Sequence, residues 1–184
     1  MEPVDTSEVP PPIAVVRDFV NTTDHETATD DLTTPAELTR YLVEQGLMPR
    51  ASRATAEDLD VALRLRTSLR RALQQNHDGD RSAPAGVADA LADLPVTLTW
   101  SPEGAVVTTT ASGVRGGLAR IAIAAHEATA LGIWQRLKIC AYDECEWAYY
   151  DHSKNQSRAW CEYGCGNKVK TRAYRARKAA ATAG

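Results

Sequence analysis

Residues 140–168 read CAYDECEWAYYDHSKNQSRAWCEYGCGNK, and this stretch holds all four cysteines of the chain: Cys140, Cys145, Cys161 and Cys165. Their spacing is C-x4-C-x15-C-x3-C, two close pairs separated by about 15–20 residues, which is the layout of a structural zinc site. Zn²⁺ favours four ligands in a tetrahedron and meets thiolate sulfur at about 2.3 Å, so two short turns, each carrying a pair of sulfurs, can wrap one ion without strain. Four thiolates leave no open coordination position, which points to a structural rather than a catalytic metal. The competing account is four incidental buried thiols or two disulfides. It is the weaker one, because Met1-Glu2-Pro3-Val4-Asp5 lacks the basic start and apolar run of a secretory signal and the chain is expected in a reducing cytoplasm. His152 fits neither pair and reads as a solvated loop histidine.

The segment that follows the fourth cysteine reads as a short helix. At about 100° per residue, Lys168, Arg172 and Arg175 fall within about 60° of one another. Val169, Ala173 and Ala176 form a second face suited to packing on the zinc knuckle, with Lys170 and Arg177 opposite the basic trio. From His152 onward the chain carries eight lysines and arginines against one acidic residue, so this helix is a candidate for lying against nucleic-acid phosphates. The competing role for these cations is to balance the formal −2 charge of a tetrathiolate zinc. Trp147, Tyr149 and Trp160 flank the cysteines and are expected to form the small apolar core of the module rather than to stack on bases. Asp151, Ser153 and Asn155 are expected to satisfy loop amides. Asn167 is placed to cap the helix or to donate toward a sulfur.

The run from Cys140 through Trp147, Tyr149, Asp151, Ser153-Lys154-Asn155, Ser157-Arg158, Trp160-Cys161 to Cys165-Gly166-Asn167-Lys168 and Lys170 resembles the CGNR zinc finger. Lys168 stands where that family has the arginine of its name, which keeps the charge but loses the planar fork that grips phosphate or guanine in two places. Ala159 replaces the second of two arginines before the tryptophan, leaving Arg158 as the first. Farther upstream, Asp18-Phe19-Val20-Asn21-Thr22, then Leu32, Pro35, Leu38 and Gly46-Leu47, is similar to the ABATE domain that precedes this finger. The resemblance implies a bacterial, stress-linked transcription regulator that binds DNA, with Arg158, Lys168, Lys170, Arg172, Arg175 and Arg177 as the nucleic-acid-binding candidates. It also singles out Asp18 and Asn21. Their alternatives are to bind a polar ligand or to fasten a helix end near the start of the body, and the second is the expectation.

Outward from the cysteine stretch, the charge divides the chain. Residues 1–137 carry 12 basic against 19 acidic side chains, whereas residues 138–184 carry 9 against 5, so an acidic body precedes a basic tail. Residues 1–12 end in Pro10-Pro11-Pro12, which is not expected to support a helix, and read as a mobile lead-in. Asp24 to Asp31 reads as a loop. Thr34-Pro35-Ala36-Glu37 marks a helix start with a capping box, and Gly46 followed by Pro49 ends that helix. Leu59, Ala62, Leu63, Leu69 and Leu73 keep the helical period from Thr55 to Gln75, and a shorter helix is expected between Pro84 and Leu94. The period then drops to two at Val96, Leu98 and Trp100, and a turn at Ser101-Pro102-Glu103-Gly104 leads into a return strand, giving a hairpin. Leu118, Ile121 and Ala125 mark a further helix that ends near Gly132.

The expected architecture is therefore mainly α with a β-hairpin: a mobile segment at 1–12, a helical ABATE-like domain at 13–136, and a small treble-clef-like finger with a basic C-terminal helix at 137–184. Hydrophobic residues make up 43% and charged residues 24%, an ordinary globular balance. The longest aliphatic stretch, Ile121 to Ala125, falls far short of the ~20 residues needed to cross a bilayer. No nucleophile elbow, glycine-rich phosphate loop or H-E-x-x-H occurs, and His25, His77 and His126 have no metal spacing, so an enzyme is not expected. What remains is a zinc-binding, DNA-binding regulator whose body senses a small molecule or partner, alone or as a homodimer. The alternative is a zinc-stabilised protein-interaction module that touches no nucleic acid.

Overall fold

The computed structural model describes residues 9–102 and 104–182. Residues 1–8 of the expected mobile lead-in lie outside the described residues, but the proline run does not. Helix α1 is Pro11–Val20, with prolines in its first turn. The first amides of a helix have no intrahelical acceptor, so proline there forfeits nothing and its fixed φ suits the helix. The expectation that this run bars a helix is thus corrected. Ile13, Val16, Phe19 and Val20 are completely buried along one face of α1.

The segment read as a loop after α1 closes on itself instead. Strands β1 (Thr23–Asp24) and β2 (Thr29–Asp30) pair antiparallel. Asp24 accepts from the amides of Glu26 and Thr27, which folds the turn, and Arg66 grips Asp30 through two nitrogens at 2.7 and 2.6 Å. Helix α2 (Pro35–Glu44) starts with the capping box that the sequence marks, and Gly46, at φ +66°, turns the chain beyond its end. Helix α3 (Ala56–Asp78) has a second box, Thr55 with Asp58, and runs three residues past Gln75 to a left-handed Gly79. Helix α4 (Val87–Ala92) is short. Strands β3 (Thr97–Ser101) and β4 (Gly104–Thr108) form the expected hairpin, and helix α5 (Gly113–Ala130) follows.

Helices α1, α2, α3 and α5 share one core in which Phe19, Leu38, Leu42, Leu65, Leu73, Leu118 and Ile121 are fully buried. After a 3₁₀ turn at Trp134–Arg136, strands β5 (Leu137–Ile139) and β6 (Ala148–Tyr150) pair antiparallel. Leu137, Ile139 and Ala148 belong to that same core, so the first strands of the finger pack on α3 and α1 rather than standing apart. Helix α6 (Cys165–Thr182) is 18 residues long, not short. Nothing in its Lys-, Arg- and Ala-rich sequence after Gly166 breaks it. Among the described residues no helix is long and apolar enough to cross a membrane. The fold is mainly α, with small antiparallel strand pairs and a C-terminal cysteine knuckle.

Candidate metal centre and basic face

The chain turns back sharply between β5 and β6. Cys140 N–H donates to Trp147 O, and the amides of Cys145 and Glu146 both donate to Tyr142 O, so Cys140 and Cys145 face each other across a tight knuckle. Glu146 takes a left-handed φ of +46° there. The second pair arrives from the other side: Cys161 ends a loop, and Cys165 opens α6 behind a left-handed Gly164. The four sulfurs lie within 4.8 Å of one another, with Cys145–Cys161 at 3.7 Å and Cys161–Cys165 at 3.5 Å. A tetrahedron with zinc–sulfur bonds of about 2.3 Å has edges of about 3.8 Å, so the cluster fits one structural zinc ion. All four thiols are buried. Burial pushes Cys145 and Cys161 up to about 12 and Cys165 up to about 11, so a cation must supply the charge that makes them thiolates. The backbone N–H of Cys161 donates to Cys140 Sγ at 3.4 Å, the kind of support that tunes thiolate sites. His152 is no part of the cluster; its ring sits edge-on to Tyr150 at 4.8 Å.

A second small core surrounds the sulfurs. Tyr149 is buried there, with Trp147, Trp160 and Val169 packed against it, as expected of aromatics that build a module rather than wait for bases. The glycine after Cys165 has its reason in Trp160: a Cβ at Gly166 would meet the indole ring at 3.3 Å. The loop between the cysteine pairs is organised by Asp151, which is wholly buried. Its carboxylate accepts from Ser153 N and Oγ, Arg158 N and Lys138 Nζ. Burial pushes that carboxyl up, and these hydrogen bonds outweigh the burial and hold it below the usual range. Asn155 and Asn167 are exposed; the backbone of Asn167, not its side chain, is the part bonded to the helix start, donating to Gly164 O.

Along α6 the expected basic face separates into parts. Lys168, Arg172 and Arg175 line one open groove with Tyr142, Glu144 and Tyr163. Two of these cations are met by carboxylates of the chain itself: Lys168 by Glu26 of the β1–β2 turn at 2.5 Å, and Arg172 by Glu144 at 3.0 Å. Lys170 and Arg177 are exposed on α6 but do not line the groove. Arg158 is engaged elsewhere, donating to Trp160 O and pairing with Glu162 at 3.1 Å. Ala173 and Ala176, expected against the knuckle, are exposed, because the 18-residue helix runs past the cysteine core; Cys165 belongs to that core and Val169 packs on it.

Residues 136–178 match the CGNR zinc finger family, and residues 14–131, more than half of the chain, match the ABATE family, described as "Putative stress-induced transcription regulator". The chain belongs to the ABATE family. Among curated proteins none matches it. In this ABATE chain the motif residue Asn21 closes the end of α1, where its backbone N–H donates to Arg17 O, and its side chain also fastens the finger to the body. Its amide donates to Ala148 O at 2.9 Å and accepts from Ala148 N–H at 2.8 Å, spanning 127 residues of sequence. Asp18 is paired with Arg17 at 2.7 Å. Arg70 of α3 adds a second tie between the ABATE body and the finger, donating to Glu146 O and Val20 O. Sequence reasoning missed Glu26, Arg70, Tyr142 and Glu144. Only Tyr142 and Glu144 had a signal, their position between the first two cysteines.

Proposed function

We propose that this ABATE chain is a zinc-dependent, DNA-binding transcription regulator, and that its helical body senses a small molecule or partner. The observation that carries the reading is the groove along α6, where Lys168, Arg172 and Arg175 lie exposed beside the zinc knuckle with the phenol of Tyr142 at their side. Cations so arranged track a phosphate backbone without reading bases, and Lys168, lacking the arginine fork, suits contact with phosphate rather than discrimination between sequences. The family's description supports the regulatory half. The zinc ion, enclosed by four thiolates, holds the knuckle and α6 in place and is offered no substrate position, so no catalytic role is assigned. A reducing cytoplasm, where thiols stay available to metal, suits such a protein.

The test is binding of the zinc-loaded chain to random duplex DNA across a salt series, with a chelated control. The three groove cations, each on one phosphate, predict a log–log slope of about −2.7. Replacing Arg172 or Arg175 by alanine lowers affinity on every sequence and reduces the slope by about 1 each. Zinc-loaded protein that leaves DNA free at low salt overturns the reading. The second reading, a zinc-stabilised protein-interaction module, is favoured by one observation: Lys168 and Arg172 already have carboxylate partners in Glu26 and Glu144. Partner binding through such a surface lacks the steep salt dependence of counterion release.

A further inference from the structure

A cleft of about 590 Å³ opens where α1 and α2 of the body face β6 and the turn at 161–163 of the finger. That volume is within the range of about 300–1,000 Å³ typical of small-molecule sites, and the cleft is lined by both halves of the chain. Five tyrosine and tryptophan rings line it: Tyr41 from α2, and Trp147, Tyr149, Tyr150 and Tyr163 from the finger, Tyr149 being the one buried in the cysteine core. Trp147 and Tyr163 hold each other edge-to-face at 6.1 Å. Burial and the nearby Asp18 keep the Tyr41 phenol above its ordinary range, so its hydroxyl stays a neutral hydrogen-bonding group.

Among the Asp, Glu and Arg side chains of the walls one sign is left over; His152, edge-on to Tyr150, also lines the cleft. Arg17 is neutralised by Asp18, and Glu162 by Arg158. Asp31 and Glu44 also line the cleft, and among the described residues neither carboxylate has an ion-pair or hydrogen-bond partner. Cys161 forms part of the same wall, so with zinc bound the tetrathiolate would add negative charge behind it. Aromatic faces with uncompensated carboxylates are the chemistry that recognises an organic cation, because the ring quadrupole and the carboxylates attract the same charge while the rings cover its apolar part.

We propose that the cleft between the ABATE body and the finger binds a small organic cation, an amine or quaternary ammonium on an apolar body, held by Tyr41, Trp147, Tyr150 and Tyr163 and selected by Asp31 and Glu44. This deepens the sensing half of the reading above and rests on it, without needing the DNA-binding half. A ligand seated there touches α1, α2 and β6 at once, and it reaches the turn that carries Cys161, one of the supports of the basic helix.

Three probes that share a phenyl ring and differ in charge, with neopentylbenzene as the neutral isostere of the cation, test it on the zinc-loaded full chain: benzyltrimethylammonium, benzyl alcohol and benzoate, titrated by calorimetry and by the shift of the Trp147 indole resonance, assigned with Trp147→Phe. The cation is expected to bind saturably with a millimolar or tighter constant, benzyl alcohol about tenfold more weakly, and benzoate not at all. The double variant Asp31→Asn, Glu44→Gln, which alters exposed carboxylates only, is expected to weaken the cation about fivefold at low salt. Tyr163→Ala, at a ring that is 68% exposed and outside the core, is expected to weaken it about threefold. Equal binding of all three probes, no binding up to about 20 mM, or a double variant that binds as tightly as the natural chain overturns the proposal. Duplex binding, measured separately on the same sample, tells the two readings apart. A chain that binds DNA and no probe loses only the cleft, and a chain that binds the cation and no DNA loses only the regulator.

Discussion

Asn21 is the residue on which the two halves of the chain meet. Its side chain presents an acceptor and a donor, and Ala148 presents an N–H and a C=O in matching positions, so the amide closes both bonds as a strand neighbour would. Alanine in its place leaves both backbone groups of a fully buried residue without their partner. At about 1–3 kcal/mol for an unsatisfied buried group, Asn21→Ala is expected to destabilise the chain by about 2 kcal/mol in urea unfolding. Aspartate is no rescue: it can still accept from the amide, but it sets a carboxylate against the carbonyl of Ala148. A variant Asn21→Asp as stable as the natural chain would mean that the clamp is ornamental. Nothing local in Asp18-Phe19-Val20-Asn21-Thr22 tells of this role, because the partner lies 127 residues away and is a backbone, which has no sequence signature.

At the scale of elements, what was legible is what rests on local chemistry. Thr34 and Glu37 announce the start of α2 because a capping box is written in four consecutive residues. Its strength also fixes a pH dependence. The Thr33 hydroxyl and the Thr33 and Thr34 amides donate to Glu37 and hold its carboxyl at about 2, below the ordinary 4.5. A lowered pKa means that the folded chain favours the carboxylate. The stability this gives is complete above 4.5 and is lost as the pH falls from there toward about 2. The unfolding midpoints of the natural chain and Glu37→Gln are therefore expected to differ at neutral pH and to converge over that window; a constant difference would place the effect elsewhere than in the ionised cap. The strand pair β3–β4 shows the limit of such reading. Alternation of Val96, Leu98 and Trp100 announces a strand, yet it does not say what covers the apolar face, and here Leu98 and Trp100 stay 69% and 82% exposed. The helix at Pro11 is hidden for the opposite reason: proline reads as a breaker, although its position in the first turn makes it harmless.

Over the whole molecule, the cysteine pattern disclosed the zinc site because metal geometry dictates spacing, but the seam between finger and body was hidden by the same local focus. Leu137, Ile139 and Ala148 are buried in the body's core, Asn76 of α3 donates to Trp134 O and Leu137 O, and Arg70 reaches the knuckle at Glu146 O. Metal and body are therefore coupled through β5 and β6. Removing zinc leaves four buried thiols with no ion to gather them, which frees the turn at Cys140–Cys145 and loosens the strand pair that the body packs on. The expected outcome is that a chelator lowers the melting temperature of the entire chain in one transition, instead of melting the finger and sparing the helices. A loss of even about 4 kcal/mol moves the midpoint of a chain of this size by roughly 8–16 °C, which scanning calorimetry resolves easily. Two transitions, with the helical body melting at its zinc-loaded temperature, would show that Asn21, Arg70 and Asn76 join the halves without coupling their stability. A single lowered transition that returns on adding zinc would make the finger part of the ABATE fold in energy as well as in space.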